Sequence, residues 1–236
     1  MSNQLLYVVI TLLLIALMTL GGMLYSYLTV SKGLWENRRF QKKKRAAGSY
    51  KGSLPIIFSN LAIYSTLAAV GLYSFHDLII GESFFGLSMP LPLQVALEIG
   101  VLLVIDDFYF YFLHRLIHAN KFLYRTVHIV HHRKQRPMAL EYIYTHPLEW
   151  FLGMFGPVLA ILLMQGVTIW AWCGYLIIRT LHEMVIHSGV RSSGIFKLIP
   201  FYGTNEHHGI HHSDFDCNYA ATFTLWDKVF KTQVER

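Results

Sequence analysis

Charged residues and cysteines are scarce in this chain of 236 amino acids: charged residues make up 14% of it, and there are two cysteines. A soluble globular domain has about 25% charged residues. The low charge, together with 54% hydrophobic residues, therefore indicates a protein that lies in a lipid bilayer. Cys173 lies in an apolar stretch and Cys217 in the polar C-terminal part, so a disulfide between them is not expected.

Motifs for common redox cofactors are also lacking. The sequence has no glycine-rich nucleotide fingerprint, no haem-binding extension and no cysteine spacing suited to an iron–sulfur cluster. It has no repeat or low-complexity segment, and no pattern that would indicate nucleic-acid binding. If the protein catalyses a redox reaction, its electrons must therefore come from another protein.

Long apolar stretches predict the fold class, which is an all-α polytopic membrane protein. Residues 5–27 hold no charged side chain over a length that can cross a hydrocarbon core of about 30 Å, which favours a retained helix over a cleaved signal peptide. Residues 54–75 and 91–113 predict two further helices, and 147–178 is long enough for a helical hairpin that turns near Gly166. We expect four to five spans or half-spans.

The distribution of basic residues predicts the orientation of these helices. Lys and Arg are retained on the cytoplasmic side when loops are short, and residues 32–51 contain eight of them. The predicted outer segments, which are 1–4, 76–90 and the turn near Gly166, contain none. We therefore expect an outer N-terminus and a cytosolic C-terminus, with every histidine except His76 reaching the cytosolic face.

The histidines form the most informative pattern in the sequence. Twelve of the thirteen lie from residue 114 onward. Residues three and four apart project from one side of a helix, so we expect each cluster to direct its imidazoles to one point. Neutral imidazole is the commonest metal ligand, and eight of them exceed the needs of one ion, which indicates two metal ions. The clusters are His114-x3-His118, His128-x2-His131-His132 and His208-x2-His211-His212.

The segment HEMVIH at 182–187 resembles the HExxH motif of zinc proteases but is one residue too long. At about 100° per residue, His182 and His187 lie roughly 140° apart, so one helix face cannot present both to one zinc ion. Glu183 and His187 can share a face. We therefore predict His187 as a ligand, with Glu183 either a further ligand or a residue that holds a metal-bound water.

Four more polar residues are candidates for supporting roles. Asp107 lies seven residues before His114 and nearly on the same helix face, so we expect it either to support the site or to bond to a neighbouring helix. Glu149 could orient a ligating imidazole, and His146 is a candidate tenth ligand. Glu98, deeper in the same helix as Asp107, is expected to be structural.

In their order and spacing, these motifs resemble the fatty acid hydroxylase and sterol desaturase superfamily of integral membrane non-haem di-iron enzymes. The resemblance covers about residues 101–232 and is closest to methylsterol monooxygenases and cholesterol 25-hydroxylases. The segments that carry it are DFYFYFLHRLIH at 107–118, YTHPLE at 144–149, HSG at 187–189, PFYG at 200–203, EHHGIHH at 206–212, DCNYA at 216–220 and WDK at 226–228.

The resemblance implies a helical membrane anchor capped by a cytosolic helical domain that holds two iron ions. Two positions depart from the family pattern: Glu183 stands where some relatives have histidine, and Lys231-Thr232 replaces a common Gly-Thr. The histidines that match the family's ligands, and so the implied catalytic metal site, are His114, His118, His128, His131, His132, His187, His208, His211 and His212.

The predicted chemistry follows from the ligand type. Zinc would suit an imidazole-rich site but cannot cycle electrons, whereas two iron ions with O2 as co-substrate could oxidise a C–H bond. Hydroxylation is the first interpretation and desaturation the second, and the resemblance alone makes the substrate sterol-like. Two rival interpretations are a zinc-dependent membrane lipid hydrolase and a non-enzymatic haem or metal membrane protein, although haem leaves the triplets unexplained.

A lipid substrate would need a hydrophobic slot, for which aromatic residues are candidates, although such residues are more often interfacial or packing residues. The basic cytosolic face and the net charge of +6 predict contact with anionic lipids and with an acidic electron donor, either a ferredoxin with its reductase or a cytochrome b5-like protein. The candidates for the slot are residues 108–112, Trp150, Phe151, Phe155 and Trp172.

The chain divides into two expected parts. Residues 1–53 would form a first transmembrane helix and a basic cytosolic loop, and residues 54–236 the membrane-embedded catalytic unit. The membrane would be the inner membrane in a bacterium or the endoplasmic reticulum in a eukaryote.

Overall fold

A computed structural model describes residues 2–39, 50–81, 91–134 and 137–235. The model is 75% helical, which confirms the predicted all-α fold class. Within the described ranges there is no strand, and three isolated bridges join Arg39 to Val190, Ile80 to Val167 and Tyr202 to Phe223. Part of the predicted basic loop, at 40–49, and most of the predicted outer loop, at 82–90, lie outside the described residues.

Long helices form where the sequence has few charges. Helix α1 has 28 residues and begins after Ser2, whose hydroxyl accepts a hydrogen bond from the amide of Leu5. A short helix, α3, follows α2. The ranges are α1 Asn3–Val30, α2 Leu54–Ser74, α3 His76–Ile79, α4 Leu91–Ala119, α7 Pro147–Gly153, α8 Phe155–Met164 and α9 Ile169–Ile186.

Three of the described segments are long and apolar enough to cross a membrane: Asn3–Val30, Lys51–Ser74 and Pro147–Met164. They match the predicted first and second spans and the outgoing arm of the hairpin. Helix α4 has the length of a span, but its interior holds three buried acids, Glu98, Asp106 and Asp107. The number of spans and their orientation stay predictions.

The predicted hairpin turns at Gln165 and Gly166, which both have positive φ, 59° and 102°. The next helix begins at Thr168, whose hydroxyl accepts from Ala171 N. The buried carboxylate of Glu98 accepts from both the amide and the hydroxyl of Thr168, at 2.9 and 2.7 Å. Glu98 therefore fixes the hairpin turn against α4, in the structural role predicted for it.

Helix α4 is the centre of the bundle and packs against α8 and α9. At Gly156 the α4 and α8 backbones come so close that an added Cβ would overlap the carboxylate of Asp106. The outer face of α1 stays open, with Leu13, Leu17 and Leu20 about 60% exposed (59, 61 and 61%). Such a row of leucines suits contact with lipid rather than water.

Short helical segments cover one end of the bundle. They form a cap in which one turn is a π-helix, Tyr124–His128. The others are α5 Lys121–Leu123, α6 Ile129–His132, a 3-10 helix Ala139–Ile143, α10 Gly194–Lys197, α11 Asn205–Asp214 and α12 Leu225–Val229.

Candidate metal centre

Nine histidines from four separate parts of the chain converge beneath the cap, in two groups. In each group, one ligand atom per residue can be chosen so that all lie within 4.8 Å of one another. The five-histidine group is His114, His118, His128, His132 and His211, and the four-histidine group is His131, His187, His208 and His212. The nine predicted ligands are therefore the nine histidines that the fold brings together.

Each HxxHH triplet is divided between the two groups, so the expectation that each triplet points to a single place is wrong. On α11, His208 and His212 face one group and His211 faces the other. Residues four apart are only about 40° apart around a helix, whereas neighbours differ by about 100°. The first and last histidine of a triplet therefore share one group, and the middle one reaches across.

Hydrogen bonds to Nδ1 leave the Nε2 lone pairs of the five-histidine group pointing inward. His114 Nδ1 donates to the carbonyl of Tyr219 at 2.7 Å, and His128 Nδ1 lies 2.9 Å from the Glu149 carboxylate. The Nε2 atoms of His114 and His128 are 3.0 Å apart. With both Nδ1 atoms protonated, two lone pairs face each other, which is unfavourable unless a cation lies between them.

The middle histidine of α11 also presents a nitrogen that suits a cation. His211 Nδ1 donates to the carbonyl of Cys217 at 2.7 Å. Its buried Nε2 has no hydrogen-bond partner among the described residues, and a buried polar atom of this kind is rarely left unpaired.

The four-histidine group has the same inward arrangement. His187 Nδ1 donates to the carbonyl of Glu183 at 2.9 Å and lies 3.4 Å from its carboxylate. The Nε2 of His187 is 3.0 Å from that of His208 and 3.4 Å from that of His131. Two nitrogens bound to one ion at about 2.1 Å lie about 3.0–3.4 Å apart at octahedral to tetrahedral angles, so these residues fit a metal ion.

Burial keeps the cap imidazoles neutral. Burial lowers the pKa of His128 to about 3. Burial and nearby imidazoles also lower the pKa of His131 to about 3, although the charge of Glu149 acts in the opposite direction. Burial and neighbouring histidines also hold the pKa values of His208, His211 and His212 on α11 well below the usual range. Neutral imidazoles present lone pairs at neutral pH, as metal binding requires.

Two candidate ligands lie outside both groups. The Nδ1 of His146 accepts a hydrogen bond from Leu148 N at 3.1 Å and so caps the start of α7. Glu183 pairs with Arg179 through a short contact and lies behind His187. The structure therefore gives His146 a capping role and gives Glu183 an ion pair with Arg179.

The other candidates have definite partners. Asp107 accepts from the amides of Thr222 and Phe223 and from the Trp226 indole, at 2.7 to 2.9 Å, so its bonds go to the C-terminal segment and not to an imidazole. His182, excluded as a ligand by its spacing, donates to the carbonyl of Gly203 at 2.9 Å.

Residues that support the site through their backbone could not be recognised from the sequence. The carbonyls of Cys217 and Tyr219 orient His211 and His114, but every residue has a carbonyl, so the side chains carry no signal. Asp227, which holds this segment through the amides of Tyr219 and Ala220, lies in the WDK motif but has no metal-ligand spacing.

A largely apolar cavity of about 520 Å³ runs along the bundle to the histidines. Trp172 and His187 both line it, and 15 residues of helix separate them, a rise of about 22 Å. Three of the four residues of the four-histidine group lie in its wall, His131, His187 and His208, together with His114 and His128 of the five-histidine group. The cavity therefore reaches both groups, and the four-histidine group supplies more of its wall.

The prediction of the cavity wall was partly wrong. Phe110, Trp150 and Trp172 line the cavity, as expected. Phe151 and Phe155 instead pack on each other, 42 and 45% exposed, and Phe108 packs on Trp226. Helices α1 and α2, beyond the region that carries the resemblance, supply much of the rest of the wall: Leu14, Ile15, Met18, Leu61, Tyr64 and Ala68.

Comparison with known proteins gives the class. A sequence model of the fatty acid hydroxylase family matches residues 99–232, which is more than half of the chain. The protein belongs to the fatty acid hydroxylase family.

Three relatives show where in the family it falls. The chain is 41% identical to methylsterol monooxygenase 1 of Rattus norvegicus over 135 residues, 56% of this chain and 45% of the relative. It is 33% identical over 190 residues to methylsterol monooxygenase 2-2 of Arabidopsis thaliana (76 and 63%), and 27% identical over 210 residues to methylsterol monooxygenase erg25B of Aspergillus fumigatus (85 and 69%). The chain spans about half the length of the first curated relatives it matches. No solved structure gives a significant match.

Proposed function

We propose that the protein is a membrane-bound di-iron oxygenase that uses O2 to hydroxylate a C–H bond of a sterol-like lipid. The observation that carries the proposal is that the apolar cavity reaches both histidine groups, through His131, His187 and His208 of one and His114 and His128 of the other. An apolar cavity that follows about 22 Å of α9 suits an elongated lipid and would shelter the reacting carbon from water. The relatives named methylsterol monooxygenases support a sterol-like substrate.

The nine histidines would hold two iron ions, one in each group. Bound iron supplies the ability to reduce O2 and to remove a hydrogen atom from carbon, which zinc lacks. The chain contributes neutral imidazoles, and three of them, His114, His187 and His211, are fixed in direction by bonds from Nδ1 to backbone carbonyls. Glu149 and Glu183 stand behind one imidazole of each group, where their negative charge raises its basicity.

The cavity wall would orient the substrate along α9. In the apolar part of the cavity the shape of the wall would position the lipid, because few polar groups are available to hold it. The polar residues of the wall lie toward the histidine end, where Arg179 bonds to Asp106 at 3.0 Å and also pairs with Glu183. Desaturation would need the same placement, so the geometry favours neither outcome over the other, and hydroxylation rests on the names of the relatives.

Electrons would reach the irons from the side of the cap. Basic residues exposed at the end of α4 and in the cap include Arg115, Lys121, Arg125, Arg133 and Lys228. Their charge would favour an acidic donor, a ferredoxin or a cytochrome b5-like protein. We propose that this face is cytosolic and that the N-terminus lies on the opposite side of the membrane. The membrane would be that of the endoplasmic reticulum or a bacterial inner membrane.

The central experiment compares lipid extracts from cells with and without the protein, grown under 18O2. We expect one 18O atom in a new lipid alcohol, and about two irons per chain in protein purified in nanodiscs. A new alkene without 18O would replace hydroxylation with desaturation.

Two further outcomes would replace the proposal with its rivals. A Soret band in the optical spectrum of the pure protein would establish haem. Lipid cleavage that continues without O2, in protein loaded with zinc alone, would establish a hydrolase.

A further inference from the structure

The two histidine groups differ in what holds their outer nitrogens. Two members of the five-histidine group, His114 and His211, donate to carbonyls of a single non-helical segment, at Tyr219 and Cys217. His114 lies on α4 and His211 on α11, and 97 positions in the sequence separate the two histidines. The segment 217–223 therefore orients one histidine on each of the two helices.

The segment is fixed at its first half by Asp227. One carboxylate oxygen accepts from Tyr219 N at 2.9 Å and from the Thr232 hydroxyl at 2.6 Å. The other accepts from Ala220 N and from His207 Nε2, both at 2.9 Å. Asp227 is fully buried, at 0% exposure, so these four donors surround it completely.

The second half of the segment is fixed by other contacts. Asp107 accepts from the amides of Thr222 and Phe223, at 2.7 and 2.9 Å. Gly203 N donates to the carbonyl of Thr222 at 2.8 Å. We call residues 217–223, together with Asp107 and Asp227, the C-terminal clasp. If Asp227 alone is changed, the second half keeps its anchors while the carbonyls that face His114 and His211 are released.

The four-histidine group is oriented by contacts that lie outside the clasp. His187, its member on α9, is backed by Glu183. The start of α11 is tied to the end of α9 by Asn205, whose amide donates to Val185 O and Ser188 Oγ at 2.6 and 2.9 Å. Asp227 and Asn218 also bond to His207 on α11, at 2.9 and 3.1 Å, but the start of that helix keeps its own ties to the end of α9 through Asn205. Loss of Asp227 should therefore reach the five-histidine group and spare the other.

We propose that Asp227 is a positioning residue for the five-histidine group: through the carbonyls of Cys217 and Tyr219 it sets the affinity of that group for its metal ion, and it leaves the four-histidine group unaffected. The proposal rests on the two-metal site of the proposed function. An outer partner of a metal-binding histidine typically changes metal affinity by about 10–100-fold.

The test is a Co²⁺ titration of the full-length metal-free protein in nanodiscs, followed by the visible bands of the bound ion. Wild-type protein should bind two tight equivalents. Asp227→Asn should bind one with unchanged affinity and the other about 10–100-fold more weakly, because an amide nitrogen would face the donors that now surround a carboxylate. Hydrogen exchange of the metal-free variant should show faster exchange at the amides of Tyr219 and Ala220.

The affected ion is assigned with His212→Ala, which removes a ligand from the four-histidine group alone. If the proposal holds, the double variant with Asp227→Asn keeps no tight equivalent. One tight equivalent remaining in the double variant would place the effect of Asp227 on the wrong group and overturn the proposal. So would two unchanged equivalents, or equal loss of both, in Asp227→Asn.

Two more variants complete the design: one that weakens the Asp227 contacts only in part, and one that changes the support of the four-histidine group. Thr232→Val removes the hydroxyl that donates to Asp227 and that also lies 3.0 Å from the Tyr111 hydroxyl. It should weaken the same equivalent to a smaller degree. If Asp227→Asn does not insert, unchanged affinity in Thr232→Val decides against the proposal. Glu183→Gln should weaken the other equivalent. The titration uses neither O2 nor lipid, so its result is independent of whether the protein hydroxylates anything.

Discussion

The five-histidine and four-histidine groups share the segment 128–132 and α11, but only the first draws on α4 and only the second on the end of α9, and they differ in support and in number of histidines. The first is oriented by two backbone carbonyls and Glu149, and the second by Glu183, which is itself paired with Arg179. Four imidazoles leave more positions free on a six-coordinate ion than five do. The group with fewer histidines also supplies more of them to the cavity wall, three against two, so we expect exchangeable positions and substrate to meet at that group.

The largest effect on either group should come from removing one of its histidines. We expect His131→Ala, in the four-histidine group, and His211→Ala, in the five-histidine group, each to reduce product formation at least ~100-fold and to lower iron content, because each removes one direct ligand. Iron analysis and product assays on protein in nanodiscs measure both effects.

The matched control is His146→Ala, which removes a helix cap and no member of either group. It should keep about two irons per chain, with a loss of stability of about 1 kcal/mol. Iron loss as large as that of His131→Ala would restore His146 as a ligand.

Acid should act on both groups together, unlike any single substitution. In the metal-free folded chain, the pKa values of His128 and His131 lie at about 3, below the ordinary 6.5, so the unfolded chain takes up protons first as the pH falls. Stability that is complete above about pH 6.5 is therefore lost toward pH 3, at up to about 1.4 kcal/mol per pH unit for each buried imidazole.

The thermal unfolding midpoint of the metal-free protein, measured between pH 7.5 and 5, checks this expectation. A midpoint that stays constant or rises on acidification would contradict it. Metal release from the loaded protein should show both ions leaving over one pH range, since the imidazoles of both groups are shifted in the same direction.

A smaller effect should follow from closing the space at Gly203. An added Cβ would overlap the carbonyl oxygen of Ala221, so Gly203→Ala must shift the clasp and should cost about 1–3 kcal/mol. Gly100→Ala on α4, where nothing lies within 4 Å of the added Cβ, is the control and should be neutral or slightly stabilising. Equal unfolding midpoints for the two variants would argue against a tight approach at Gly203.

The smallest effect should come from the far wall of the cavity. Ala68→Phe places a ring in the cavity and should lower kcat/KM about 10-fold, equivalent to about 1.4 kcal/mol, without changing iron content. Ala62→Phe on the exposed side of the same helix is the control. If both variants hydroxylate lipid equally well, the cavity is not the substrate site.

Much of the site could be predicted because side-chain spacing carries it. The gathering of the histidines, the exclusion of His182 and the hairpin turn at Gly166 all follow from helical geometry and from glycine's tolerance of positive φ. That these imidazoles ligate metal remains a prediction.

The rest depends on tertiary contacts that no local pattern records. The division of each triplet between two groups depends on how the helices are rotated about their axes. Asp107 and Glu183 were recognised as unusual acids, but their partners, Trp226 and Arg179, come from packing. Backbone carbonyls that orient histidines have no sequence signature at all.

Because each triplet contributes to both groups, the same two helical segments, 128–132 and α11, would hold both ions. A shift of α11 by a single residue would exchange the partners of His208, His211 and His212 and spoil both coordination shells together. No segment can be excised or transplanted to yield half a centre. A single-iron derivative of this protein would have to be made by point substitution, and insertions within a triplet should be tolerated nowhere.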